Sequence, residues 1–359
     1  MINKYYIKGK IDNYIKPIVK KNLRLYCLCR ILKNINNIEF FKQIDLIYRD
    51  SNKISMMEFG SENKDTNILL IARSAKNVGM GGFFRYTLYG LFEAEKLGFS
   101  PVVHYKECPY KDDTYEENTK NPFEYYFEQP TKISLYDTYN SSRVFIFEGV
   151  HINRIEKEFG NTNPELVASY IVKDEYLKSL GKVVKKHIKL NQKTRKFIQQ
   201  SIDELFPSDW KTKGVLAIHV RGTDFALNWE KHPNMVKAED FFAAIDSTME
   251  KEKFKYIFLA TDDSNRLKAF KMRYGEKLLY FTDVHRSSGT INVALEKNDR
   301  KHNNYLNGLE VIRDMYTLAR CHGLIAGLSQ VSICTRIINY SLDEQFSYVK
   351  ILDKGIYKS

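Results

Sequence analysis

The sequence predicts an α/β fold in which two domains, each built on a largely parallel sheet, face one another across a cleft. Three observations carry that expectation. Apolar runs of strand length alternate with amphipathic helical segments, a rhythm that calls for parallel strands covered on both faces. At 359 residues the chain is longer than one domain, given the usual ~100–200 residues per domain. Its 43% hydrophobic and 28% charged residues are a globular composition, and no apolar run approaches the ~20 residues a membrane-spanning helix needs.

Residues 1–60 are a basic leader with twelve Lys/Arg against five Asp/Glu, so seven of the twelve net positive charges sit there. A helical extension is expected, either solvated or resting on anionic lipid. Lys and Arg interrupt each of its apolar stretches, which argues against a signal peptide. Residues 61–207 are expected to be an N-terminal α/β domain. Asn67–Ala72 reads as a buried strand, and Arg73–Gly82 as a glycine-bearing loop. Phe84, Leu88, Leu91 and Phe92 mark a helix that Gly98 ends, and Pro101–His104 reads as the next strand. Residues 106–142 are polar and Tyr-rich and read as an irregular insertion; residues 151–205 read as charged helix. After a joint near Pro207–Gly214, residues 208–359 repeat the rhythm more regularly. Strands are expected at Val215–Val220, Tyr256–Ala260, Leu278–Phe281 and Gly323–Ala326. Between them fall a helix with Phe241, Phe242, Ile245 and Met249 on one face, a helix from about Asn265, and a helix marked by Leu309, Ile312, Met315 and Ala319. A last helix starts near Val331.

Five cysteines in unpaired spacing suggest neither a disulfide framework nor a zinc site. A reducing cytoplasm is the simplest compartment, with peripheral contact at the inner face of the membrane open to the leader. A pI near 9.2 raises nucleic-acid binding. No nucleic-acid motif is present, however, and basic and acidic residues are mixed after residue 60, so the expected partner is an anionic substrate or surface.

Parallel sheets bind ligands outside the carboxyl ends of their strands, which directs attention to three loops. Arg221, just past a buried strand, can present its guanidinium bidentately to a phosphate, or pair with Asp224. Asp262 and Asp263 follow the next strand, where Thr261 and Asp262 could equally cap a helix. Ser329 and Gln330 lead from a strand into a helix, where hydroxyl, backbone N–H groups and helix dipole make a phosphate cradle; Ser329 could also be a plain cap. His219 taken alone reads as a core histidine. Together these residues read as a pocket for a nucleoside diphosphate. The Gly79–Gly82 cluster is either a tight turn or a place where substrate approaches Gly81 and Gly82 closely. The chain has no Asp-x-Asp, Walker loop, nucleophile elbow or His-Glu-x-x-His. No metal cofactor is therefore expected, and Arg, Lys and helix N-termini must neutralise the diphosphate.

His219-Val-Arg-Gly-Thr-Asp224, Phe258-Leu-Ala-Thr-Asp-Asp263, Val311–Arg320 and Gly327-Leu-Ser-Gln-Val331, in that order over about 120 residues, resemble the α1,6-fucosyltransferases of N-glycan cores and of rhizobial nodulation. Asn77–Arg85 resembles the family's first-domain glycine loop without its cysteines. The resemblance implies two Rossmann-like domains in a GT-B-like arrangement, the N-terminal one on the acceptor side. It also implies an inverting, metal-independent transfer from GDP-β-L-fucose to a glycan or lipid-linked glycan. Arg221 would hold the β-phosphate, His219 and Asp314 the guanine or its surroundings, and Ser329 a phosphate. Asp262 and Asp263 would shape the donor pocket, which Gln330, Gly81 and Gly82 complete. The family's second adjacent Arg is Gly222 here, which leaves another GDP- or NDP-sugar, or a non-catalytic nucleotide- or glycan-binding role, as alternatives. A carboxylate must take the acceptor proton; Glu230, one position off the family's spacing, is preferred over Asp224. The 106–205 segment is expected to face the acceptor. Tyr125, Tyr126 and Phe127 there could stack on sugar rings or belong to the core.

Overall fold

In the computed structural model the described residues run from 56 to 357, apart from 116–118, 148–169, 171, 224–231, 289–292 and 297–298, with a few leader positions besides. The chain separates into a leader, Met1–Ser55, and one compact body, Met56–Ser359. The body is α/β and contains two sheets.

The first sheet opens with β1 (Met56–Met57) and β2 (Ile68–Ser74), whose first four residues are wholly buried. Helix α1 (Met80–Leu97) crosses to β3 (Ser100–Glu107) and stops at Gly98. That residue takes φ 68° and donates its N–H back to the Ala94 and Glu95 carbonyls, a left-handed ending that glycine adopts without Cβ strain. Strand β4 (Val144–Phe147) completes the order β1-β4-β2-β3, with β2 parallel to β3 and β4. Beyond β3 the described part of the insertion is irregular, save a helical turn at Leu135–Thr138. Of the expected helical region 151–205, residues 151–169 and 171 lie outside the described residues, and the rest appears as α2 (Asp174–His187) and α3 (Gln192–Leu205).

The second sheet alternates strictly: β5 (Val215–Val220), α4 (Ala238–Glu252), β6 (Tyr256–Thr261), α5 (Ser264–Tyr274), β7 (Leu278–Leu279), α6 (Asn303–Ala319), β8 (Gly323–Gly327), α7 (Gln330–Ser341) and β9 (Tyr348–Leu352). All its pairings are parallel, in the order β7-β6-β5-β8-β9. Leu216, Ile218 and Val220 of β5 join Phe241 and Ile245 of α4, Leu259 of β6 and Ile325 of β8 in one buried cluster. The chain works outward from β5 to β7, then returns to lay β8 on the other side of β5. Strand order therefore reverses between β5 and β8, the place in such a sheet where a ligand crevice is expected, at the carboxyl ends.

The expected strand Leu278–Phe281 is shortened, because Phe281 packs its ring 5.3 Å from Phe258 instead of continuing the ladder. Tyr125, Tyr126 and Phe127 are 4%, 0% and 1% exposed. Tyr126 stacks on Tyr305 and Phe127 on Phe123. They are core residues and offer no ring face to a sugar.

Candidate active site

The carboxyl ends of β5, β6 and β8 bring most of the candidates together. His219 of β5 is in register with Ala260 of β6 and Ala326 of β8, so the loops that follow start level. Asp262 anchors the first of them. Its carboxylate accepts from the Gly222 N–H at 2.9 Å and from Thr223 Oγ1 at 2.9 Å, and forms an ion pair with Arg221. Its carbonyl accepts from Ser287 N at 3.0 Å. Thr223 sits at φ 44°, an uncommon backbone state for a β-branched residue, and its bond to Asp262 holds it there. The described ion-pair partner of Arg221 is thus Asp262; Asp224 and Glu230 lie outside the described residues.

Asp263, not Asp262, caps the following helix. It accepts from Asn265 N and Arg266 N at 2.8 and 3.1 Å. Its side chain also fills the space beside Gly222, where an added Cβ would lie 2.5 Å from Asp263 Cβ and Oδ2. This accounts for glycine at position 222: the volume a side chain would need is taken. Gly222→Arg is expected to dislodge the cap and lower stability by about 1 kcal/mol, the usual worth of an N-cap. A melting temperature equal to the parent's would show that Asp263 yields freely.

His219 is 6% exposed, and its Nδ1 lies 3.3 Å from Ser329 Oγ. Burial pushes its pKa down to about 4, helped by Arg221 and opposed by Asp262, so the ring is neutral at pH 7. Ser329 caps α7 in a reciprocal box with Ser332. The N-terminus of α1 meets that of α7 at this point. A Cβ on Gly81 would lie 2.9 Å from the Gln330 carbonyl carbon and 3.0 Å from Val331 N. Cys334 Sγ donates to Gly81 O at 3.3 Å, and Arg73 Nη1 donates to Gly82 O at 3.1 Å. Met80 N donates to buried Tyr110 Oη at 2.6 Å, and the phenol lies close enough to Arg221 to feel its charge. Two helix N-termini and Arg221 therefore converge, an arrangement suited to a multivalent anion.

Asp314 belongs to a different cluster. The charges that act on it are Arg313, Arg286, Glu310 and Asp283. Arg313 pairs bidentately with Asp283 at 2.9 and 2.6 Å and lies over the Phe281 ring. Arg286 staples the loop after β7 by donating to the carbonyls of Thr261, Val284 and Phe281, which ties this cluster to the end of β6. Asp314 keeps a partly exposed edge but is densely surrounded. Desolvation pushes its carboxyl up to about 7 against the pull of Arg313 and Arg286. Folded protein therefore holds a proton here between pH 3.8 and about 7 that the unfolded chain has released. The contribution to stability is full below that window and lost as pH rises through it. The melting temperature of Asp314→Asn is expected to gain on the parent's from about pH 4 to about pH 7 and then level off. A pH-independent difference would mean that Asp314 ionises normally.

The sequence reading missed Arg85, Tyr110 and Arg286. Arg85 alone left a signal: it stands three residues before Leu88, on the stripe that periodicity marks as buried.

Residues 171–345 match the family model described as α-(1,6)-fucosyltransferase N- and catalytic domains. No curated protein matches the chain. Among solved structures, NodZ α-1,6-fucosyltransferase soaked with GDP-fucose is 15% identical over 76% of this chain and 92% of its own, with a TM-score of 0.45. Selenomethionine NodZ from Bradyrhizobium is 14% identical over 76% and 91%, at 0.44. POFUT1 in complex with GDP-fucose is 9% identical over 83% and 100%, at 0.45. The matched span, just under half of the chain, takes in Arg221, Asp262, Asp314 and Ser329, and over it the chain is similar to the α-(1,6)-fucosyltransferases.

Proposed function

We propose that the protein moves L-fucose from GDP-β-L-fucose to a hydroxyl of a glycan acceptor, with inversion and without a metal ion, in the synthesis of a cell-surface glycan. The observation that carries this reading is the placement of Arg221 beside the N-terminus of α7 at the β5/β8 reversal. There a cation and free helix N–H groups can take up the charge that grows on a departing diphosphate. The sugar passes through an oxocarbenium-like state, and a carboxylate on its opposite face accepts the acceptor proton; Glu230 is our choice and Asp224 the alternative.

Metal independence is supported by how the two aspartates are used. Asp262 is committed to Arg221, Gly222 and Thr223, and Asp263 to the first turn of α5. Transfer to a glycan acceptor is therefore expected to proceed at the same rate in EDTA. A fall to background that Mn²⁺ or Mg²⁺ restores would overturn this part of the reading.

A different nucleotide sugar is the second reading, favoured by Gly222 in place of the second arginine. Thermal-shift titration with GDP-fucose, GDP-mannose and UDP-sugars separates the two. A ligand at a hundred times its dissociation constant adds about 2.7 kcal/mol of apparent stability, so the true donor stands out. No helix among the described residues is long and apolar enough to cross a membrane. The basic leader, with Leu28, Ile31, Leu32 and Ile35 exposed, supports a cytoplasmic enzyme that touches an anionic membrane surface.

A further inference from the structure

Arg85 is 1% exposed and stands behind the candidate phosphate site without lining it. Its Nε and Nη2 donate to Tyr176 Oη at 3.2 and 3.1 Å, and its Nη1 donates to Gln330 Oε1 at 3.2 Å. The rings of Tyr89 and Tyr176 lie 5.5 Å from the guanidinium carbon, and the Tyr176 hydroxyl donates to Tyr89. The guanidinium is thus held in one plane, spanning α1, α2 and the first residue of α7.

Arginine has five donors and no acceptor. Only the oxygen end of the Gln330 amide can face it, so the NH₂ end is turned away. Without Arg85 the two ends of the amide would be nearly interchangeable. With it, the first turn of α7 gains an oriented donor beside its own free N–H groups.

We propose that Arg85 is a positioning residue: it fixes the Gln330 amide so that its NH₂ is presented to the β-phosphate of a nucleoside diphosphate. The inference rests on the donor reading above. It also offers a reason why a chain with Gly222 in place of a second arginine can still hold a diphosphate, since a buried cation polarises a neutral donor from behind.

The test compares GDP with GMP binding by calorimetry in the full-length chain. Gln330→Glu keeps an acceptor for Arg85 and deletes the NH₂. Arg85→Lys keeps the charge and loses the forked geometry. Both are expected to weaken GDP by about tenfold or more, the range for one bond to a charged group, while GMP affinity stays at the parent's value. A role confined to packing would move GDP and GMP together, and that outcome overturns the proposal, as does an unchanged GDP-to-GMP ratio in Gln330→Glu with its melting temperature intact. If the parent binds neither nucleotide, the donor reading itself falls and takes the proposal with it. A GDP affinity that falls in Arg221→Ala beside an unchanged ratio in both variants sinks the proposal alone.

Discussion

Arg221→Ala is expected to abolish transfer and to weaken GDP binding by about ten- to a hundredfold. The described site places this one arginine at the end of β5, and Gly222 cannot be replaced by a second without displacing Asp263. A charge-assisted contact is worth roughly 1.5–3 kcal/mol in binding, and more is lost as charge develops on the leaving diphosphate. The substitution also removes the cation that Asp262 pairs with, so the loop at Gly222 and Thr223 loses part of its anchor. Arg221→Lys is expected to recover some affinity through charge and little turnover, because a single ammonium cannot form the two parallel bonds of a guanidinium. Calorimetric titration with GDP, beside a transfer assay, reads both effects. Parental GDP affinity in the alanine variant would remove Arg221 from the site.

Glu230→Gln is expected to leave GDP affinity alone while lowering turnover by roughly 10²–10⁴-fold, the usual contribution of a general base. The segment Phe225–Lys231 that holds it is too polar and too short for a core strand, and it follows directly on the Arg221 loop. Trp229 beside it has a ring suited to stacking on a sugar. The isosteric amide keeps shape and hydrogen bonding but cannot take a proton, so a loss confined to turnover identifies the base. Near-parental turnover would pass the role to Asp224, to be tested in the same way.

Most of the body was readable in the residue pattern. Val215–Val220 carries its strand in six consecutive apolar or buried positions, and Gly98 announces the end of α1 by chemistry alone. What escaped were strands too short or too exposed to stand out in the pattern. Val144–Phe147 is only four residues long, and Tyr348–Leu352 is an edge whose middle positions, Val349 and Lys350, are exposed. At the site, position relative to a strand end was legible and partnership was not. For Arg221 the sequence offered Asp224, which lies outside the described residues, and gave no hint of Asp262, the ion-pair partner that comes from the neighbouring strand, 41 residues away in numbering. The charges that surround Asp314 (Arg313, Arg286, Glu310 and Asp283) come from α6 and the loops before it and left no sign in the local sequence. Arg85 was passed over because a buried cation announces itself only through its partners, and Gln330 lies 245 residues further on.

Asp262 joins Arg221, Gly222, Thr223 and Ser287 through one side chain and one carbonyl. Four positions that share a single keystone cannot vary independently. Substitutions among them should be epistatic, each changing the cost of the others. A change at the glycine, at the capping aspartate beside it or at the left-handed threonine has to be matched by the others. The loop is therefore expected to tolerate change only as a whole.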